Sequence, residues 1–149
     1  EKKIFEKQER KIEAQKNKIE LLSTNLIKAT DSIVVIGDRV SDLNYFTLQG
    51  NENAMSYFES LGFESSDIES MVTEYIYEEN LKKGDHPIIP FEGINGNMKI
   101  NKLRFLNHKW IIADFTDGRY WGELVLEYYI TTNKQIELTS VASLLYPSY

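Results

Sequence analysis

Apolar residues in the first 43 positions recur at alternating steps of three and four. From Phe5 the series runs Gln8, Ile12, Gln15, Ile19, Leu22, Leu26, Ala29, Ile33, Ile36, Val40 and Leu43. Only the two glutamines interrupt it. A straight helix repeats about every 3.6 residues, so a sustained 3.5 repeat predicts a long helix wound left-handed against a partner. Residues 1–43 are therefore expected to form a coiled-coil stalk. Its self-association interface would be Ile12, Ile19, Leu22, Leu26, Ala29, Ile33, Ile36 and Val40, around a homo-oligomer seam.

The series starting at Phe5 takes the a positions and the series starting at Gln8 takes the d positions. β-Branched residues at a with Leu at some d positions lean toward two parallel strands. Against that, Gln8 and Gln15 loosen the first heptads, and a parallel pair sets Lys11 against the partner's Lys16. Leu21, Ile27, Val34 and Val35 widen the stripe, as a helix with more than one neighbour requires. The seam from Leu22 onward could then pack on the rest of its own chain. The segment Ser32-Ile33-Val34-Val35-Ile36-Gly37-Asp38 has, in isolation, the composition of a buried strand. Gly37 costs a helix interior about 1 kcal/mol relative to alanine, so a kink or an early end is expected near it.

Residues 44–149 read as an α+β head. Asn44, Gly50, Asn51 and Asn53 mark a break. A short helix over about 53–62 follows, with Asn53 as N-cap and Gly62 closing it. A second spans about 66–83, opened by a Ser66/Glu69 capping box and ended by Lys82, Lys83 and Gly84. Residues 85–97 are loop. From there the period changes to two, giving strands over about 98–105, 109–116, 119–131 and 135–145 joined by short turns. The fold class is α+β: a long helix, two short helices, then a four-stranded antiparallel meander.

Asp117-Gly118 between two alternating runs signals a two-residue type I′ hairpin. That turn would pair 115 with 120 and 113 with 122. One face then carries Ile111, Ala113, Phe115, Tyr120, Gly122 and Leu124. The other carries Trp110, Ile112, Asp114, Trp121, Glu123 and Val125. Both are apolar enough to expect cover, by helices on one side and by the stalk, a partner or a ligand on the other. On the second face Asp114 and Glu123 become diagonal neighbours, flanked by Trp110 and Trp121, with His108 at the strand start. Two carboxylates beside an apolar wall can divide the roles of acid and base across a scissile bond. The ligand-binding candidates are thus Trp110, Asp114, Trp121 and Glu123, and the catalytic ones Asp114, Glu123 and His108. The plainer alternative has Asp114 accepting hydrogen bonds near the turn and Glu123 pairing with a cation.

The net charge of −6 argues against non-specific nucleic-acid binding. Cysteine is absent, which removes disulfides and thiolate chemistry. His86 and His108 lack any metal-ligand spacing, so no metal and no cofactor is expected. No apolar run reaches the roughly 20 residues that span a bilayer. The chain begins with Glu1, so a fragment or processed form is expected, with a signal or anchor able to precede it.

The run Asn107-His108-Lys109-Trp110-Ile111-Ile112-Ala113-Asp114-Phe115-Thr116-Asp117-Gly118-Arg119-Tyr120-Trp121-Gly122-Glu123 resembles a stretch in small uncharacterised bacterial proteins, often exported and loosely labelled hydrolases. Over residues 54–149, helices followed by a curved antiparallel sheet resemble the nuclear-transport-factor-2-like or cystatin-like superfold. The resemblance implies an extracytoplasmic or envelope setting and transfers no catalytic residues. Gly37-Asp38-Arg39-Val40-Ser41-Asp42 is similar to two enzyme loops. Arg39 stands where GDSL-type esterases need serine, and no Asp-x-Asp motif of haloacid-dehalogenase-like phosphatases lies upstream. The expected function is a non-enzymatic oligomerisation and interaction module. The alternative is a small-molecule-binding or hydrolase-like head.

Overall fold

A computed structural model describes residues 1–147. Helix α1 runs from Lys2 to Leu43 without interruption, a length of about 63 Å at 1.5 Å per residue. Gly37 does not break it, and the β-branched run Ile33–Ile36 is helical rather than a strand. Thr24 and Thr30 donate their hydroxyls to the carbonyls of Glu20 and Leu26, which keeps these poor helix formers inside the helical hydrogen-bond network. Every residue of α1 is exposed, the seam included: Ile12 at 63%, Leu26 at 68% and Ile33 at 69%.

The chain divides into two units, Glu1–Leu43 and Asn44–Tyr149. The second starts with a 3₁₀ turn, Leu48–Gly50, whose Leu48 is fully buried. Helix α2 is Glu52–Ser60 and α3 is Ser65–Glu79. Strands β1 (Lys99–Phe105), β2 (Trp110–Thr116), β3 (Trp121–Ile130) and β4 (Ile136–Leu145) form an antiparallel meander in sequential order.

Local chemistry sets the helix ends. Asn51, not Asn53, caps α2, its Oδ1 accepting from Ala54 N–H at 3.1 Å. Gly62, at φ +85°, closes α2 with a Schellman pair: Phe63 N–H donates to the Phe58 carbonyl and Gly62 N–H to that of Glu59. The expected Ser66/Glu69 capping box does not form. Helix α3 starts one residue earlier, after Glu64, which makes no side-chain cap. Ser65 instead donates to Gln49 Oε1, and Glu69 also lies beside Gln49, partly buried, which raises its pKa by desolvation. Helix α3 also ends before residue 83. Asn80 leaves it to clamp β1, donating to the Ile100 carbonyl at 2.8 Å and accepting from Ile100 N–H at 2.9 Å.

One core lies between the short helices and one face of the sheet. Ala54, Phe58, Ile68, Val72 and Ile76 meet Ile111, Ala113, Phe115, Leu124, Leu126 and Tyr128. The period-two alternation of β2 and β3 supplies this face, with every second residue buried along both strands. Tyr128 satisfies its buried hydroxyl by donating to the Asn107 carbonyl at 2.6 Å. Gly122 is required here: a Cβ would collide with the Leu144 carbonyl and the Phe115 ring.

Loop 85–97 is held by three polar side chains. Asp85 accepts from Gly93 N–H and from Met98 N–H, the latter at 2.7 Å. His86 is buried at 2% exposure. Its Nε2 lies 2.9 Å from the Ile76 carbonyl and its Nδ1 accepts from Ile88 N–H, a pairing that only the neutral ring satisfies. Asp117 reaches back from the β2–β3 turn to accept from Ile94 and Asn95 N–H.

Candidate functional site

Asp117 also decides the geometry of the sheet face on which the candidate residues lie. Its Oδ1 accepts from Arg119 and Tyr120 N–H, at 2.9 and 2.8 Å. With the two bonds to the 94–95 loop, the carboxylate takes four backbone donors. Those donors hold its pKa far below the ordinary carboxylate range, the Tyr120 bond foremost. A type I′ turn needs φ above zero at both central residues. Only Gly118 has it, at +100°. The hairpin therefore closes through a four-residue loop, and the expected two-residue register is wrong. Phe115 pairs with Gly122, and Thr116 with Trp121.

This correction shifts each partner by two residues, which preserves the faces and changes the neighbours. Asp114 stands directly opposite Glu123, not diagonal to it. Cβ atoms of directly opposed residues lie about 4.5–5.5 Å apart, and like charges there repel. Each carboxylate has its own neighbours. Asp114 Oδ1 accepts from Lys102 N–H at 2.7 Å and Oδ2 from the Asn101 amide at 3.2 Å. Those donors sit at the bulge where the β1–β2 register shifts between Ile100 and Leu103. Glu123 lies beside the Tyr146 phenol and raises its pKa, by hydrogen bonding first, with charge from Glu123 and Asp114 adding to it.

The two tryptophans bracket this pair along the strands. Trp121 is two residues from Glu123, about 7 Å, and Trp110 is four residues from Asp114, about 13 Å at 3.3 Å per residue. Both are exposed, at 43% and 46%, as is Leu144 at 52%. The second face of the sheet is thus uncovered at Trp110, Trp121 and Leu144. The sheet also carries a shallow groove of about 260 Å³, lined by Lys102, Arg104, Ile112, Asp114 and Glu123 among others and by neither tryptophan. Lys102 and Arg104 were not among the sequence candidates, although their i, i+2 spacing on β1 is the signal that could have found them.

His108 does not join the carboxylates. It lies in the β1–β2 turn, its ring 4.7 Å from that of Tyr57 on α2. The hollows it lines contain neither Asp114 nor Glu123. Burial, then the charge of Lys109, lowers its pKa, and among the described residues its buried Nδ1 has no hydrogen-bond partner. Among the described residues, no group of three or more His, Cys, Asp or Glu side chains is placed to hold a metal ion. Nor, among the described residues, is any helix long and apolar enough to cross a membrane.

The groove offers two cations and two carboxylates, and the two indole rings lie outside its lining on the same face. Both oxygens of Asp114 accept hydrogen bonds from the bulge, and Glu123 is hydrogen-bonded to the Tyr146 phenol. No family model, curated protein or solved structure matches this chain.

Proposed function

We propose that this protein is a self-associating interaction module, in which α1 joins copies of the chain and residues 44–149 provide the surface that the assembly presents. The observation carrying the reading is the heptad seam of α1, apolar at ten of its twelve positions and nowhere buried. Hydrophobic seams of this length are stabilised in water by burial against another helix. Propensity points the same way. Ile33, Val34, Val35, Ile36 and Gly37 form a stretch that disfavours an isolated helix, Gly37 alone by about 1 kcal/mol and the β-branched residues by several tenths each. Pairing supplies what this stretch lacks.

Neighbouring residues of like chemistry test the reading. Ile33 is a seam residue, and Val34 lies beside it off the seam. Ile33→Lys should weaken association at least tenfold, the loss expected when a buried aliphatic becomes a charge. Val34→Lys should leave it within about twofold. Sedimentation equilibrium of the two variants decides: equal effects would remove the seam as the interface.

A second reading is ligand binding on the open sheet face, supported by the charged groove there and by the exposed Trp110 and Trp121 on the same face. A ligand seated there would change indole fluorescence, and Arg104→Ala would weaken the change. Hydrolysis is less supported, because each Asp114 oxygen already accepts a hydrogen bond from the β1 bulge.

A further inference from the structure

The two polar seam positions carry information about how the helices meet. We infer that α1 pairs with α1 of a second copy in parallel and in register, as a two-stranded coil. This inference rests on the self-association reading above and adds its geometry.

Gln8 and Gln15 are both d positions, and every a position is apolar: Phe5, Ile12, Ile19, Leu26, Ile33 and Val40. In a parallel, in-register pair d faces d′. Each glutamine then meets its own counterpart, and the two amides can donate to and accept from each other. In any antiparallel heptad register a faces d′. At full overlap, with Phe5 opposite Leu43, Gln8 faces Val40 and Gln15 faces Ile33, twice over by symmetry. Four amides then lose water and find no partner. Each such loss weakens association by about tenfold or more. A parallel pair slipped by one heptad still matches Gln15 with an apolar Leu22.

The charge that opposes the parallel form is weaker. Lys11 at g faces the partner's Lys16 at e, an exposed contact that occurs twice by symmetry, is screened by salt and is worth about twofold each time. The antiparallel alternative does not relieve it, since Lys11 then meets Arg39 across g–g′. Four of six a positions are β-branched, with Leu22 and Leu43 at d, which favours two strands. Both chains of such a pair pass from Leu43 into their second unit at the same end. The assembly would therefore present two copies of that unit to a repetitive partner, with the gain in avidity that follows.

The chain has no cysteine, so single thiols can report the orientation. The test uses Ile12→Cys and Ile36→Cys in the full chain, each oxidised alone and as an equal mixture. The parallel arrangement predicts that each variant cross-links to itself and that the mixture gives no disulfide between positions 12 and 36, since those levels lie about 36 Å apart along the helix. Mixed cross-links without self cross-links would overturn the orientation while leaving self-association intact. Parent chain sedimenting as three copies would overturn the two-stranded coil. One copy only would reject the self-association reading itself. Repeating the mixture with Gln8→Leu and Gln15→Leu should let mixed cross-links appear. If it remains purely self cross-linked, the glutamines do not set the direction.

Discussion

Two titratable residues, His86 and Asp117, hold the second unit together in different pH windows. His86 is buried as the neutral ring, with desolvation the main cause of its lowered pKa. The unfolded chain binds a proton near the ordinary 6.5, and the folded chain resists it. Stability is therefore full above that value and falls as pH drops below it. His108, also lowered, acts in the same direction. Asp117 works lower down. Its depressed pKa means that its contribution is present above the ordinary 3.8 and is lost as pH falls beneath it. Thermal unfolding followed from above neutrality to strongly acidic pH should show a first decline beginning near pH 6.5, with a slope of at most one proton per histidine, and a second below about pH 4. A melting temperature flat from neutrality to about pH 5 would contradict the buried neutral His86. The Asp114–Glu123 juxtaposition belongs to this scale too, and half of it was legible in the sequence. The alternating pattern assigned both residues to one face. Their direct pairing was not legible, because a carboxylate reaching more than twenty residues back to Ile94 and Asn95 overrides the turn preference of an Asp-Gly pair.

Among the elements, two glycines separate conformational cost from conformational need. Gly37 lies inside α1 with nothing within 4 Å of the place a methyl group would take. Gly37→Ala should stabilise the helix by about 1 kcal/mol. Gly62 sits at φ +85° in the Schellman closure of α2. Gly62→Ala should destabilise the second unit by about 1–2 kcal/mol. Chemical denaturation of the two variants checks both signs, and a destabilised Gly37→Ala would mean that the helix bends there. Helices and strands were readable because each repeats its own period over many residues. Their ends were less so: Asn80 ends α3 through a contact with Ile100, and Ser65 turns to Gln49. No local pattern announces a partner sixteen or twenty residues away.

At the scale of the whole molecule, the same chain carries a core that closes on itself and a helix whose apolar seam does not. The core of residues 44–149 draws on both short helices and one sheet face. The first unit has no buried residue at all. The seam's 3.5 periodicity was plain from sequence, and the single chain leaves that seam exposed along the whole helix. Sedimentation equilibrium of the unaltered chain at tens of micromolar addresses this most directly. Two copies per particle, dissociating on dilution, is the predicted result, and a single copy throughout that range would contradict the account.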